Sequence, residues 1–210
     1  GDAVAQDAQK TAVGYLWQSG VEGLDQFDPR APLLTAALRA EVNTVSSSSM
    51  GRLFDAAAAI LGVGTYNHYE GECAILLQRC AEQAQKTGTK PYPLRFAVED
   101  SGGCLVADGA ALIKTLFLAK DREDRGALAL GFHLAVAELV SDVCVRLREP
   151  EGCTAVALSG GVFQNRLVSK ETMDMLEQQS FTVYINNRVP PNDGGLALGQ
   201  AYIGGVLPCV

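Results

Sequence analysis

The sequence predicts an α/β protein whose first part is mostly helical. Residues 1–90 carry Ala/Leu patterns at helical spacing, and the last third contains a strand, a helix and a second strand. The chain of 210 residues is 48% hydrophobic and 20% charged, a balance typical of a globular protein with a packed core. Its length fits one compact domain or two small ones.

Amphipathic patterns predict four helices in residues 1–90. These helices run over residues 4–18, 31–42, 50–61 and 71–85. Serines at positions 46–49 precede the third helix and can cap its first amides. After a Gly/Pro-punctuated linker at 86–93, residues 94–98 alternate like a short strand. Two more helices are predicted over 108–120 and 127–148.

The final third predicts a βαβ unit. Residues 154–158 form a short apolar run of the kind that a buried parallel strand needs. An amphipathic helix over 162–179 and a second strand over 181–185 follow, and the crossover rule makes the two strands parallel. A last Ala/Leu/Gly-rich helix is predicted from residue 192 to 204.

Charge and composition exclude several classes of function. The net charge is −7 and there is no Lys/Arg-rich run, so we expect no nucleic acid and no membrane among the binding partners. We also expect no apolar stretch long enough to span a bilayer. The six cysteines, including Cys209, form no C-x-x-C pair. Cys73, Cys80 and Cys144 lie in apolar helical patterns, which favours buried, reduced thiols and a cytoplasmic location.

The turn after the first strand of the βαβ unit is the most informative stretch. Gly160 and Gly161 follow Ser159 and let the backbone approach a ligand closely. The next helix would point its first amides and its positive dipole end at the same crevice. Asn165, expected one turn into that helix, could bond a phosphate or ribose oxygen. The alternative is a tight strand-to-helix turn with Asn165 as a surface polar residue.

The segment 192–195 follows the second strand of the unit. It should open at the same sheet edge, where open α/β sheets bind ligands. Asp193 could bind a hard cation that neutralises the phosphates of a nucleotide. It could equally be the cap of the last helix.

Residues 47–55 form a second loop-to-helix junction. Gly51 could admit a ligand, and Asp55, one turn later on the same face, could bond ribose hydroxyls. Arg52 could pair with phosphate or with Asp55 itself. A capped, salt-bridged helix start is the alternative interpretation.

Motifs of other enzyme classes do not occur in the sequence. There is no Walker A, G-x-S-x-G or H-E-x-x-H motif. His68 and His133 are the two histidines and do not form a cluster, so a His/Cys zinc site is not expected. His133 lies inside a long helical pattern beside Phe132, which favours a packing role.

Four segments, in order across most of the chain, together resemble the C-terminal part of HypF-type carbamoyltransferases, the maturation factors of [NiFe]-hydrogenases. They are SSSMGRLFDA (47–56), YEG (69–71), LSGGVFQNR (158–166) and VPPNDGGLALGQA (189–201). The resemblance implies one lobe of an actin-like ATPase fold (the sugar kinase, Hsc70 and actin superfamily) with a helical insertion. Residues 1–210 would be the second lobe, with a mostly helical portion at 1–90 and an α/β, nucleotide-facing portion at 91–210.

The resemblance also implies a reaction and a set of site residues. In the family, ATP and carbamoyl phosphate yield carbamoyl-adenylate, and the carbamoyl group passes to the C-terminal cysteine of HypE for synthesis of the hydrogenase cyanide ligand. The implied nucleotide-binding residues are Ser159, Gly160, Gly161 and Asn165, with Gly51 and Asp55 at the ribose side. Asp193 would be the ligand of a divalent metal, magnesium or iron, shared with the other lobe.

Two other functions stay open at this point: an ATP phosphotransferase of the same superfamily, and a non-catalytic module that docks a partner. The first residues of the sequence lack an initiator Met, so we expect the chain to be a piece of a longer polypeptide. We expect that piece to be inactive by itself, because half a cleft leaves its ligand exposed to water.

Overall fold

The computed structural model describes the backbone of residues 2–206 and the side chains of residues 4–149 and 152–206. The chain divides into two compact units, Gly1–Leu139 and Val140–Val210. The boundary between the units falls inside a long helix, whereas the sequence changes from helical to α/β character near residue 91.

The first unit is built mainly of helices. Its helices are α1 (Asp2–Gln6), α2 (Ala8–Gln18), α3 (Ala31–Arg39), α4 (Met50–Ile60), α5 (Glu72–Lys86), α6 (Gly109–Ala119) and the first part of α7 (Arg125–Glu151), with a 3-10 turn at Leu24–Gln26. The single helix predicted over 4–18 is wrong, because Asp7 divides it. The Asp7 carboxylate accepts a hydrogen bond from the Lys10 amide at 3.2 Å and caps α2.

Helix α4 forms the centre of the first unit. Every residue from Leu53 to Ile60 is buried, and α2, α5 and α6 pack around it. The run of alanines at 56–59 allows these helices to approach closely. The Phe54 ring meets the Phe132 ring of α7 edge-on, with 5.0 Å between ring centroids.

A β-hairpin follows the linker, and the strand predicted over 94–98 is wrong. Strands β1 (Val98–Ser101) and β2 (Cys104–Ala107) pair antiparallel. They are joined by Gly102 and Gly103, both at positive φ, as a two-residue hairpin turn requires. The linker itself lies on α7: the Tyr92 amide donates to the Ala127 carbonyl at 3.0 Å. The linker therefore bonds to a helix, and residues 94–97 do not pair as a strand.

The second unit contains the βαβ arrangement. Its elements are the rest of α7, β3 (Ala155–Leu158), a 3-10 turn at Gly161–Gln164, α8 (Arg166–Gln178), β4 (Thr182–Ile185), a 3-10 turn at Asp193–Gly195, and α9 (Leu196–Val206). Strands β3 and β4 pair in parallel, as the sequence predicts, with Leu158 opposite Ile185. Leu158, Leu176 and Phe181 form the core beneath the sheet.

Helix α9 is apolar, yet none of its residues is buried. Among its side chains, Leu196, Leu198, Tyr202, Ile203 and Val206 are each more than half exposed. The helix therefore presents an uncovered apolar surface within the second unit.

The prediction that no stretch is long and apolar enough to span a bilayer is wrong for helix α7. From Arg125 to Glu149 it passes that test by length and composition, with a mean hydropathy of 1.7. However, 56% of the apolar window is buried inside the protein. Burial of this kind is typical of the core helix of a globular protein.

The cysteines in helical patterns are reduced, as expected. Cys73 is buried, and Cys80 and Cys144 are partly buried, all three as thiols. Burial raises the pKa of the Cys73 thiol to about 11, so this thiol is protonated at neutral pH. Cys209 lies outside the described residues.

Candidate functional site

The turn after β3 has an unusual backbone. Gly160 adopts φ 102° and ψ 161°, a conformation that is essentially restricted to glycine. Its N–H donates to the Pro191 carbonyl at 2.7 Å, and the Ser159 hydroxyl donates to the same carbonyl at 3.4 Å. A Cβ added to Gly161 would meet no atom within 4 Å. The glycine turn is thus held by its hydrogen bonds to Pro191, and the space beside Gly161 is free of protein atoms.

Asn165 lies at the start of α8, and the prediction that it lies one turn inside a helix is wrong. Its backbone is extended, with φ −69° and ψ 107°, and α8 begins at the next residue. Its Oδ1 accepts a hydrogen bond from the Val168 amide at 3.1 Å. Asparagine is a preferred N-cap because its short side chain satisfies one of the unpaired helix amides. The Nδ2 group is then the part of Asn165 that can donate to a ligand.

The loop after β4 lies beside the glycine turn, because Pro191 accepts both hydrogen bonds from Ser159 and Gly160. Within this loop the Asn192 side chain caps the 3-10 turn at Asp193–Gly195: its Oδ1 accepts from the Gly194 amide at 3.1 Å. Asp193 is an exposed carboxylate. Both glycine-containing segments of the second unit therefore meet at one edge of the sheet.

A complete metal site is not formed by the residues that the structure describes. No group of three or more His, Cys, Asp or Glu side chains converges among the side chains of residues 4–149 and 152–206. Asp193 can contribute one carboxylate ligand, and a hard cation needs several further oxygen ligands.

Gly51 and Asp55 belong to the first unit. Ser49 caps α4, accepting from the Arg52 amide at 3.4 Å, and Arg52 Nη1 lies 2.9 Å from Asp55 Oδ2. The capped, salt-bridged helix start is therefore present. A Cβ at Gly51 would make only an ordinary contact, 3.6 Å from the Ser49 hydroxyl, so the turn has room beside it.

The Asp55 carboxylate is buried, with 1% of the residue exposed. Oδ1 accepts a hydrogen bond from Asn67 Nδ2 at 3.1 Å. Oδ2 lies close to Arg52, but the two groups are not aligned for a hydrogen bond, and no other described residue donates to it. Burial raises the pKa of this carboxyl, although Asn67 and Arg52 partly offset the effect.

Asn67 is the residue that sequence reasoning missed. It lies two residues before Tyr69, the start of the YEG segment, and is 12 residues away from Asp55. Its position next to that segment was the available signal, but no spacing rule connects a loop amide with a helix carboxylate.

His133 has a packing role, as the sequence predicts. His133 is fully buried beside Phe54, and burial lowers its pKa to about 4. Its Nδ1 donates to the Ala129 carbonyl at 2.8 Å, because a carbonyl can only accept. His68 is exposed and lies 2.9 Å from Glu72.

The second unit thus has the features of a ligand-binding α/β protein: parallel strands, a glycine turn at a strand end, and a neighbouring polar loop at the same edge. The chain belongs to the family described as carbamoyltransferase, Kae1-like domain, second subdomain, whose model matches residues 1–200. The resemblance to HypF proteins is therefore confirmed.

Individual relatives agree with this assignment. The chain is 39% identical over 207 residues to carbamoyltransferase HypF of Rhodobacter capsulatus, covering 97% of this chain and 26% of the relative. It is 31% identical over 230 residues to carbamoyltransferase HypF2 of Cupriavidus necator, covering 97% of this chain and 28% of the relative. The chain therefore spans little more than a quarter of the length of these relatives.

A solved structure has the same α/β fold. The crystal structure of full-length HypF in the phosphate- and nucleotide-bound form matches 97% of this chain and 27% of that chain, with a TM-score of 0.86 and 27% sequence identity. The α/β fold class is confirmed by this match.

Proposed function

We propose that this chain is the second lobe of a HypF-type carbamoyltransferase with an actin-like ATPase fold, acting in the cytoplasm. The full protein would use ATP and carbamoyl phosphate, through carbamoyl-adenylate, to carbamoylate the C-terminal cysteine of HypE for the hydrogenase cyanide ligand. Support comes from the carbamoyltransferase names of the relatives and from the phosphate- and nucleotide-bound HypF structure. The observation that carries the proposal is the hydrogen bond from Gly160 to Pro191, which joins the two glycine-containing segments.

In this proposal the glycine turn binds the nucleotide. The open side of Gly161 lets a phosphate or ribose come close to the backbone. The Nδ2 group of Asn165 supplies a hydrogen-bond donor, and the N-terminus of α8 adds the positive end of its dipole. The Ser159 hydroxyl has one proton, so it would exchange its 3.4 Å hydrogen bond to the Pro191 carbonyl for one to the ligand. These features favour an anionic ligand at this edge.

Asp55 would accept the ribose hydroxyls, with Gly51 leaving space beside it. The Oδ2 atom is buried and receives no aligned hydrogen bond from the described residues, so a hydroxyl donor would satisfy it. Arg52 competes for the same oxygen, and a phosphate group offers this arginine an alternative partner.

Asp193 would hold one position of a divalent metal, magnesium or iron. An exposed carboxylate suits such a cation, whose other ligands would come from phosphate oxygens, water and the other lobe. Such a cation would neutralise the phosphate charge of the bound nucleotide. The role of Asp193 itself is to fix the position of that charge beside the glycine turn.

The experiment compares two carboxylate variants in the full-length protein that contains this chain. Asp193→Ala should abolish formation of the carbamoylated HypE C-terminal peptide, measured by mass spectrometry. Asp174→Ala is the control, because Asp174 is a carboxylate of the same unit that pairs with Lys170 on α8. Unchanged carbamoylation by Asp193→Ala would contradict the metal role. A phosphorylated acceptor in place of carbamoyl-adenylate would favour a phosphotransferase.

A further inference from the structure

Asn67 lies at the centre of a buried hydrogen-bond network in the first unit, with 5% of the residue exposed. Its Nδ2 donates to Asp55 Oδ1 at 3.1 Å and to the Ala5 carbonyl at 2.8 Å. Its Oδ1 accepts from the Cys73 amide at 2.8 Å, and its own amide donates to the Gln6 carbonyl at 2.7 Å. The side chain thus connects α1, α4 and the start of α5.

The orientation of the Asn67 amide is determined by these partners. The Cys73 N–H can only donate, so it requires the oxygen of the amide, and the Ala5 carbonyl can only accept, so it requires the nitrogen. Nδ2 must therefore face Asp55 and present a proton to its carboxylate.

The network is asymmetric, and the asymmetry indicates which residue orients the other. Three of the four hydrogen bonds of Asn67 go to backbone atoms of other elements, so its position does not depend on the Asp55 side chain. By contrast, Asn67 is the one aligned side-chain donor to the Asp55 carboxylate among the described residues. Fixing Oδ1 also fixes the direction of Oδ2.

We propose that Asn67 is a positioning residue for nucleotide binding. By holding Asp55 Oδ1, it keeps the carboxylate from rotating and fixes the direction in which Oδ2, 2.9 Å from Arg52 Nη1, would meet the ribose hydroxyls. This inference rests on the proposed function, in which Asp55 accepts those hydroxyls. A residue with a merely structural role would affect folding and leave the affinity of the folded protein for ATP unchanged.

The test is Asn67→Asp in the full-length protein. Aspartate has nearly the same volume and can still accept from the Cys73 amide, but it replaces the donor that faces Asp55 with an acceptor. We expect the KM for ATP to rise about tenfold, since a hydrogen bond to a charged group is lost. We expect kcat to change by less than about twofold, because the reacting groups lie elsewhere. The melting temperature is recorded for each variant.

Two further variants separate the possible failures. Asp28→Asn is the structural control, because Asp28 is 1% exposed, like Asp55, and its carboxylate lies 2.7 Å from Arg30. Loss of this ion pair should lower the melting temperature and leave the KM for ATP unchanged. Asp55→Asn tests the proposed function and should raise KM. If it does not, the ribose role of Asp55 is wrong.

The inference about Asn67 is overturned by a different result. It fails if Asp55→Asn raises KM but Asn67→Asp only lowers the melting temperature. Asn67→Ser, whose hydroxyl is too short to reach Asp55, replaces Asn67→Asp if the aspartate variant does not fold, and the same rise in KM is expected. Failure of both variants to fold would assign Asn67 a structural role and contradict the proposal.

Discussion

Gly160 provides a direct test of how the candidate nucleotide turn is built. The change is Gly160→Ala, at a residue with φ 102° and ψ 161°. A Cβ at this position would meet no atom within 4 Å, so the substitution adds no steric contact. The whole effect must therefore come from the backbone conformation, which alanine adopts only under strain.

The expected loss of stability follows from that conformation. A residue with a side chain in this region of φ and ψ costs about 1–3 kcal/mol. Relaxing the turn instead would break the hydrogen bond from the Gly160 amide to Pro191, 2.7 Å long and worth about 1 kcal/mol. Either route lowers the free energy of unfolding, so we expect a decrease of about 1–3 kcal/mol.

Gly161→Ala is the matched control, since Gly161 is the next residue, has no positive φ, and also has open space at the Cβ position. Its free energy of unfolding should change by less than about 0.5 kcal/mol. Urea unfolding of the 210-residue chain, followed by circular dichroism, measures both variants. Equal midpoints for the two variants would refute the argument from backbone strain.

Three other predictions concern the first unit and use the same unfolding assay. Gly131→Ala should lower the free energy of unfolding by about 3 kcal/mol, the upper end for overpacking, because its Cβ would collide with the Tyr92 carbonyl oxygen. Gly14 lies in α2 with open space at the Cβ position, so Gly14→Ala should instead raise the free energy of unfolding by about 0.5–1 kcal/mol. A similar decrease for the Gly131 and Gly14 variants would contradict both expectations. Because the folded-state pKa of His133 is lowered to about 4 from an ordinary 6.5, the unfolded chain takes up this proton first. Stability should therefore fall as the pH drops from 6.5 toward 4, by about 3 kcal/mol, and His133→Gln should remove that part of the slope. An unchanged slope would show that other groups cause the dependence.

Periodicity predicted the helices and the parallel strands well, because these depend on local patterns. The helix predicted over 50–61 is observed as Met50–Ile60, and the strands at 154–158 and 181–185 are observed within one residue. Two of the errors lie at capping residues. Asp7 and Asn165 each interrupt an apolar pattern that continues on both sides, so the pattern alone cannot show the break.

The part of the candidate site that lies in the loops after β3 and β4 was predictable from the sequence. The contact between the turn at Gly160 and the loop at Pro191 follows from the parallel pairing of β3 and β4. Asn67 was not predictable, because its partners come from separate elements; Ala5, for example, is 62 residues away in the chain. Only the packing of helices α1, α4 and α5 brings them together.

The uncovered surface of α9 has a practical consequence for handling the polypeptide. Five large apolar side chains are exposed on this one short helix. In concentrated solution, folded molecules can therefore associate through these surfaces. Turbidity in such a sample would then report colloidal association and not loss of structure. Dilution or a mild detergent, in place of refolding, is the appropriate remedy.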